Sequence, residues 1–358
     1  MKKSLLFLSA FFFFSVSNAQ NSTGGVPGAC GMHKNNSTPS PLDGNGSLGQ
    51  SFNQSACGLN YVAATARVEN RYDPYTQAGN YGCPLPCAWS ITGLAPCISP
   101  VRALVWANVS YQSGPPVGTI TITDPLGFTN SYSTGPVGVS GPKCWGEAGT
   151  AAYRWDVTPS IAGNGNYTFN FSGFSNPTWE IDGATIFIIY QDLNASYQGS
   201  LIFWDGAITD GQNGSATSQT LGGFSVCNTP NNATAFSISS DHQDNIAASH
   251  NSTLNGNVYS FPNSFSNFEV ASTSLFAGQN SSVFGQDGGN SDCYLWTMAG
   301  LYYQTTNCVT CNPTGLAGSQ SSTPASCNAS NGTATVNPSG GITPYRAPLK
   351  IPSDVPIT

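Results

Sequence analysis

The sequence predicts an all-β fold. A large antiparallel, jelly-roll-like β-sandwich covers residues 52–307, a linker covers 308–326, and an incomplete small β-repeat covers 327–358. Three observations predict it. Charged residues make up 8% of the chain, yet aromatics make up 11%; disordered chains lack the aromatics, whereas extracellular β-proteins with many turns have this profile. Short runs alternate apolar with polar side chains, the period of a half-buried strand. No long run carries the helical apolar period, so a parallel sheet built from strand–helix–strand units is not expected.

The chain opens with MKKSLLFLSAFFFFSVSNAQ. Lys2 and Lys3, the apolar run 5–14 and the small residue Ala19 outline a secretory signal peptide over 1–19, with Gln20 the first mature residue. The apolar run is far shorter than the ~20 residues a bilayer span needs. No later stretch is apolar enough to span, so the expected location is outside the cell, secreted or on the cell surface. Residues 20–51 are Gly, Asn, Ser and Pro with few large apolar side chains, a loose N-terminal segment.

Strand-like sequence begins at Tyr61 with YVAATARVENRY. GNYGCPLPCAWSITGLAPC follows; its cysteines and prolines read as a disulfide-stapled loop. Candidate strands then lie at 102–111, 117–123, 152–158, 166–174, 184–192, 200–206, 234–240, 268–276 and 293–304. TITIT and YTFNF alternate cleanly, while IFIIY is continuously apolar, as a central strand covered on both faces must be. Asn164-Gly165, Asp182-Gly183, Asp205-Gly206 and Asn255-Gly256 supply residues that tolerate positive φ and read as turns. Two stacked β-domains divided near 207–230 are the alternative to one sandwich. After Gln304 the residues are small and polar with two prolines, the composition of a linker.

The charge balance is acidic, with Lys+Arg 10 against Asp+Glu 17. No basic cluster exists, so nucleic acid and anionic membrane are poor partners. In an exported chain Cys30, Cys57, Cys83, Cys87, Cys97, Cys144, Cys227, Cys293, Cys308 and Cys311 are disulfide candidates, and Cys327 is left over from the 11. Cys308 and Cys311 have C-x-x-C spacing, but no second pair completes a zinc site and no helix follows for a redox motif. Sequons occur at Asn108, Asn166, Asn170 and Asn194; they matter only in a eukaryotic secretory pathway.

Candidates for chemistry are few. His242 and His250 lie near Asp241 and Asp244 in a polar, loop-like segment, and His33 lies in the loose N-terminal segment. Asp205 and Asp210 in DGAITDGQNG, and Asp287 and Asp292 in GQDGGNSD, are the carboxylates that a Ca²⁺ ion would use; neither loop has EF-hand spacing. Glu180 and Asp182 leave one face of a strand, and paired carboxylates cleave glycosides, although such pairs usually flank a cleft from different strands. Most tryptophans read as core; Trp145, in GPKCWGEAG, is the one in a Gly-rich loop that could stack on a sugar, with packing against a disulfide at Cys144 the slightly preferred alternative. No G-x-S-x-G elbow or phosphate-binding loop occurs, so the expectation is a protein without catalysis.

Residues 327–345 read CNASNGTATVNPSGGITPY. Thr333 to Val336 alternate as an edge strand does, Gly340-Gly341 gives a tight bend, and Pro344-Tyr345 sets the next entry. This stretch resembles the SprB-type repeat of gliding-motility surface adhesins, in which a Cys and an Asn/Gly-rich start lead into a T-A-T-V strand and a G-G-x-x-P-Y turn. RAPLKIPSDVPIT then departs from that pattern, which implies a truncated repeat and a longer natural protein. More loosely, residues 100–305 resemble β-sandwich domains of uncharacterised exported bacterial surface proteins, through Ala103-Leu104-Val105-Trp106, Tyr153-Arg154-Trp155-Asp156-Val157-Thr158 and the strand 182–190. That resemblance implies fold and location and transfers no catalytic residue.

The expected function is therefore a secreted, non-catalytic adhesin or binding protein whose partner is extracellular polysaccharide or other cell-surface material. An exported glycan-active hydrolase or its carbohydrate-binding module, and a structural spacer of a surface filament, are the rivals.

Overall fold

The structure, a computed structural model, describes residues 47–70, 83, 85–96, 98–111, 114–141, 149–174, 180–210, 217–240, 250–261, 268–287, 294–306, 317–323 and 333–339. The strands run in chain order as β1 (Leu48–Cys57), β2 (Leu59–Asn70), β3 (Cys87–Ile91), β4 (Ile98–Tyr111), β5 (Gly118–Thr123), β6 (Thr129–Thr134), β7 (Pro136–Ser140), β8 (Gly149–Asp156), β9 (Gly165–Ser172) and β10 (Glu180–Asp192). They continue as β11 (Tyr197–Asp210), β12 (Thr217–Gly222), β13 (Asn232–Ser240), β14 (His250–Leu254), β15 (Asn257–Phe261), β16 (Glu269–Ser272), β17 (Ser281–Asp287), β18 (Tyr294–Thr306), β19 (Ala317–Thr323) and β20 (Thr333–Ser339). Among the described residues the helical content is a 3-10 turn at Thr158–Ser160.

Four sheets stack as layers. The outer sheet β3-β9-β5-β6 faces the inner sheet β2-β10-β4-β8-β7; a second inner sheet, β1-β11-β18-β13-β16, faces a second outer sheet, β12-β17-β14-β15. Each interlayer space has its own core. The first is filled by Trp89, Val105, Ile122, Trp155, Phe169 and Ile188 among others. The last is filled by Trp204, Phe224, Leu254, Phe284, Trp296 and Leu301 among others. The middle core joins the two inner sheets through rings, with Tyr61 5.3 Å from Phe236, Phe187 5.3 Å from Phe236 and Trp106 5.4 Å from Phe203.

The strand order repeats. In the first half, eight of the nine strands from β2 to β10 make the sheets β2-β10-β4-β8 and β3-β9-β5-β6; in the second, eight successive strands make β11-β18-β13-β16 and β12-β17-β14-β15. Position for position these are one topology, the two four-stranded sheets of a jelly roll. β7 is an addition to the first roll, and β1 lies on the second roll's edge beside β11. The jelly-roll expectation is met, and the chain builds the roll twice, changing over at the turn 193–196 between β10 and β11.

Local sequence explains the layers. Ile120 and Ile122 are buried while Thr119, Thr121 and Thr123 point outward, and Tyr167, Phe169 and Phe171 are buried while Thr168 and Asn170 are exposed. Ile186, Phe187, Ile188 and Ile189 are all buried because β10 has a core on each face. Asn255 (φ 52°) and Gly256 (φ 78°) form the two-residue turn between β14 and β15. Two expected turns are instead irregularities inside long strands. The pairing register shifts between Ile181 and Gly183 and between Asp205 and Ile208. Each Asp-Gly there bends a strand whose neighbours are buried on both sides, so the chain runs on.

β20 realises the strand expected at Thr333–Val336, and its partner β19 falls inside the stretch read as a linker.

Candidate functional site

The registers give the double roll two poles. One pole carries the tightest turns, at Gly58, 193–196 and Asn255-Gly256, beside the longer connections 157–164, 223–231 and 273–280. Asp192 donates its N–H to Gly58 at 2.8 Å, and Gly58 has φ 62° with the Asp192 carbonyl where a Cβ would sit. At the other pole β2, β4, β11 and β13 end and β8, β10, β14 and β18 begin, as the pairs Ile181↔Asn70, Tyr111↔Gly149 and Asp210↔Tyr294 require. The connections 71–82, 142–148, 175–179, 211–216, 241–249 and 288–293, which lie outside the described residues, all join strand ends at this second pole.

Several residues singled out from sequence lie on strand ends at this pole, and others lie outside the described residues. Trp145, Asp241, His242, Asp244 and Asp292 sit on those connections, outside the described residues. Glu180 and Asp182 open β10, Asp210 closes β11 and His250 opens β14, with side chains outside the described set. Asp287 closes β17 and is half-buried. The strand ends at Glu180, Asp210, His250 and Asp287 are thus brought to one end by eight-strand topology performed twice.

Asp205 lies deeper, between the inner sheets, and is 2% exposed. Its Oδ1 accepts from the Ser51 hydroxyl, and its Oδ2 from the Arg154 guanidinium and from the Trp106 indole N–H at 3.1 Å. Both partners of the ion pair are buried, so the charges neutralise each other away from water. Nearby, Asn108 donates to the Ser240 hydroxyl at 2.7 Å and accepts from Thr297 at 2.7 Å, and Ser140 and Thr209 hydroxyls meet at 2.6 Å. The seam between the rolls is therefore polar toward the long-connection pole and aromatic toward the other. The hydroxyl of Ser110, 1% exposed, has no hydrogen-bond partner among the described residues.

Sequence reading missed this pair because Asp205 looked like a turn former and its partner lies 51 positions away. Trp89, Trp106, Trp155, Trp204 and Trp296 are core, as expected; their indole N–H groups all donate, for example Trp89 to the Ala184 carbonyl at 3.0 Å. Asp156, near the short-turn pole, is pulled up by burial but held below the usual carboxylate range by hydrogen bonds from Thr158 and Arg102. Cys83 and Cys87 form a disulfide, with Cα atoms 5.5 Å apart, and Cys57 and Cys227 are also disulfide-bonded. Cys30, Cys97, Cys144, Cys293, Cys308, Cys311, Cys327 and His33 lie outside the described residues. Of the sequons, Asn108 is buried, whereas Asn166 and Asn170 are exposed on β9.

Among the described residues no group of three His, Cys, Asp or Glu comes together as metal ligands, and no helix is long and apolar enough to cross a membrane. No protein-family model matches the chain, and no match is found among the curated proteins.

Proposed function

We propose that the protein is a secreted, cell-surface binding protein of adhesin type that works without catalysis. One observation carries the reading: two jelly rolls joined through a shared aromatic core bring strand ends from both rolls, among them those that flank 71–86 and 241–249, to a single pole. A rigid scaffold that gathers long loops at one end is the usual way a β-protein presents a contact surface. The signal-peptide-like first 19 residues support export, and the resemblance of 327–345 to SprB-type adhesin repeats supports a place on the cell surface, with gliding motility as the setting. The partner is extracellular polysaccharide or other cell-surface material. Deleting the gene and measuring whole-cell attachment to polysaccharide-coated surfaces tests this: reduced attachment is expected, and unchanged attachment contradicts it.

A further inference from the structure

We propose that the outer face of the β3-β9-β5-β6 sheet is a second contact surface, and that it takes a neutral polysaccharide. The registers align Ser172, Asn170 and Thr168 on β9 with Thr119, Thr121 and Thr123 on β5. Those threonines lie opposite Ser133, Ser131 and Thr129 on β6. The result is a flat array of small uncharged polar groups, spaced about 4.8 Å across the strands and about 6.8 Å along them.

The array is ordered. Hydroxyls pair across β5 and β6 at 2.7 Å (Thr119 with Ser133), 2.8 Å (Thr121 with Ser131) and 2.8 Å (Thr123 with Thr129). Each pair uses one O–H and one lone pair, which leaves one donor and several acceptors facing outward. Groups held in one geometry before binding lose less entropy on binding.

An apolar tip borders the array. The β5–β6 turn is fixed by Asp124, whose carboxylate accepts the N–H groups of Leu126 and Phe128, both at 2.9 Å. That turn holds Leu126 69% and Phe128 65% exposed. Hydroxyl groups beside a rigid apolar tip match the chemistry of a neutral sugar polymer, which offers hydroxyl edges and C–H faces. An anionic polymer meets no cation among the described residues of this face and is repelled by a chain of net charge −7.

The fold does not require such a face. The equivalent outer face of the second roll also carries Asn251, Thr253 and Ser260, but Val258 (68% exposed), Val283 (40%), Gly285 and Asp287 interrupt them, so no continuous hydroxyl array forms there. This inference rests on the adhesin reading and adds a place and a ligand class to it.

The test is depletion of the purified full chain by insoluble neutral β-glucan and mannan, with polygalacturonate beads as the anionic probe. Variants are Thr121→Lys and Asn170→Lys on the array, Phe128→Ala at the tip, and Thr220→Lys on β12 as the control, each checked for unchanged circular dichroism; Ser131→Asp replaces any array variant that misfolds. Binding to one neutral polymer, insensitive to salt, is expected, with about a ten-fold loss in the array variants, a smaller loss in Phe128→Ala and none in Thr220→Lys. Array variants that bind like the parent overturn the site and leave the adhesin reading standing. Failure of the parent on both neutral polymers, or equal binding to polygalacturonate, overturns the ligand class; the adhesin reading falls with it only if gene deletion also leaves attachment unchanged.

Discussion

In the first roll Trp89 lies flat on Phe169, with ring centroids 3.8 Å apart, and Trp155 and Tyr153 stack 5.5 Å apart beside them. In the second roll the matching space holds a buried polar network. Gln286 donates to Ser237 at 2.9 Å, Ser252 donates to Glu269 and contacts Gln286, and the Trp296 indole donates to Ser237 at 2.9 Å. The strand order is the same in both. The difference shows that the topology is set by apolar alternation and turn placement, which both halves share, and not by particular core side chains. It also shows where function is free to diverge. One outer face is a continuous hydroxyl array, and in the other Val258, Val283 and Gly285 break it up.

Four predictions break or sharpen that comparison, beginning with the contact that ties the rolls. Asp205→Ala leaves Arg154 buried and uncompensated, and urea unfolding should register a loss of about 3–5 kcal/mol. Arg154→Met with Asp205→Leu should recover most of it; recovery of none would mean the pair does more than neutralise charge.

Within the first roll, Trp89→Ala removes a side chain 1% exposed and its stack on Phe169, for about 3–5 kcal/mol by the same measurement. The polar network of the second roll gives less: Gln286→Ala should lower stability by about 1–3 kcal/mol, since Ser237 and Ser252 lose a partner but little apolar packing is lost. Equal losses at both sites would erase the distinction between the two interiors.

The smallest effects follow pH. Burial raises the Tyr61 phenol from 10.0 to about 12, against the lowering effect of its bond with Thr234. The folded state therefore favours the neutral phenol: its contribution is complete below pH 10 and is lost as pH rises through about 12. Tyr302, across the same core, is raised by burial in the same direction. Alkaline titration followed by tyrosinate absorbance should show these groups ionising only with unfolding, and Tyr61→Phe should flatten the stability curve above pH 10. Acid acts more weakly. Asp156 is held low, so its contribution is present above the usual carboxylate range and fades as pH falls below it; its 46% exposure keeps the effect small.

Much of the fold is legible in the sequence because alternation is a local signal. TITIT and YTFNF declare which face is buried, and IFIIY declares a strand with a core on each side. The duplication is not legible, because equivalent strands share no residues that advertise it: β5 reads GTITIT where β14 reads HNSTL. The Asp-Gly pairs mislead for a related reason. Asp182-Gly183 and Asp205-Gly206 have turn chemistry, but burial of the flanking residues overrides it and the strand bulges instead. The candidate site is half legible. Composition marks Trp145, Asp287 and Asp292 as loop chemistry, yet only pairings such as Asp210↔Tyr294, across 84 positions, place the strand ends that flank those loops at one pole. The hydroxyl array needs the β9–β5–β6 register before the threonines and serines of three strands become one surface.

The account rests on the two rolls being one body joined by the aromatic core between their inner sheets. Equilibrium urea unfolding, followed by tryptophan fluorescence and by hydrogen exchange in β5 and β17, tests it directly, with Phe187→Ala as the probe of the shared core. One coincident transition, shifted as a whole to lower urea in Phe187→Ala, is the expected result. Separate transitions for the two halves, with Phe187→Ala altering neither midpoint or one alone, would contradict it.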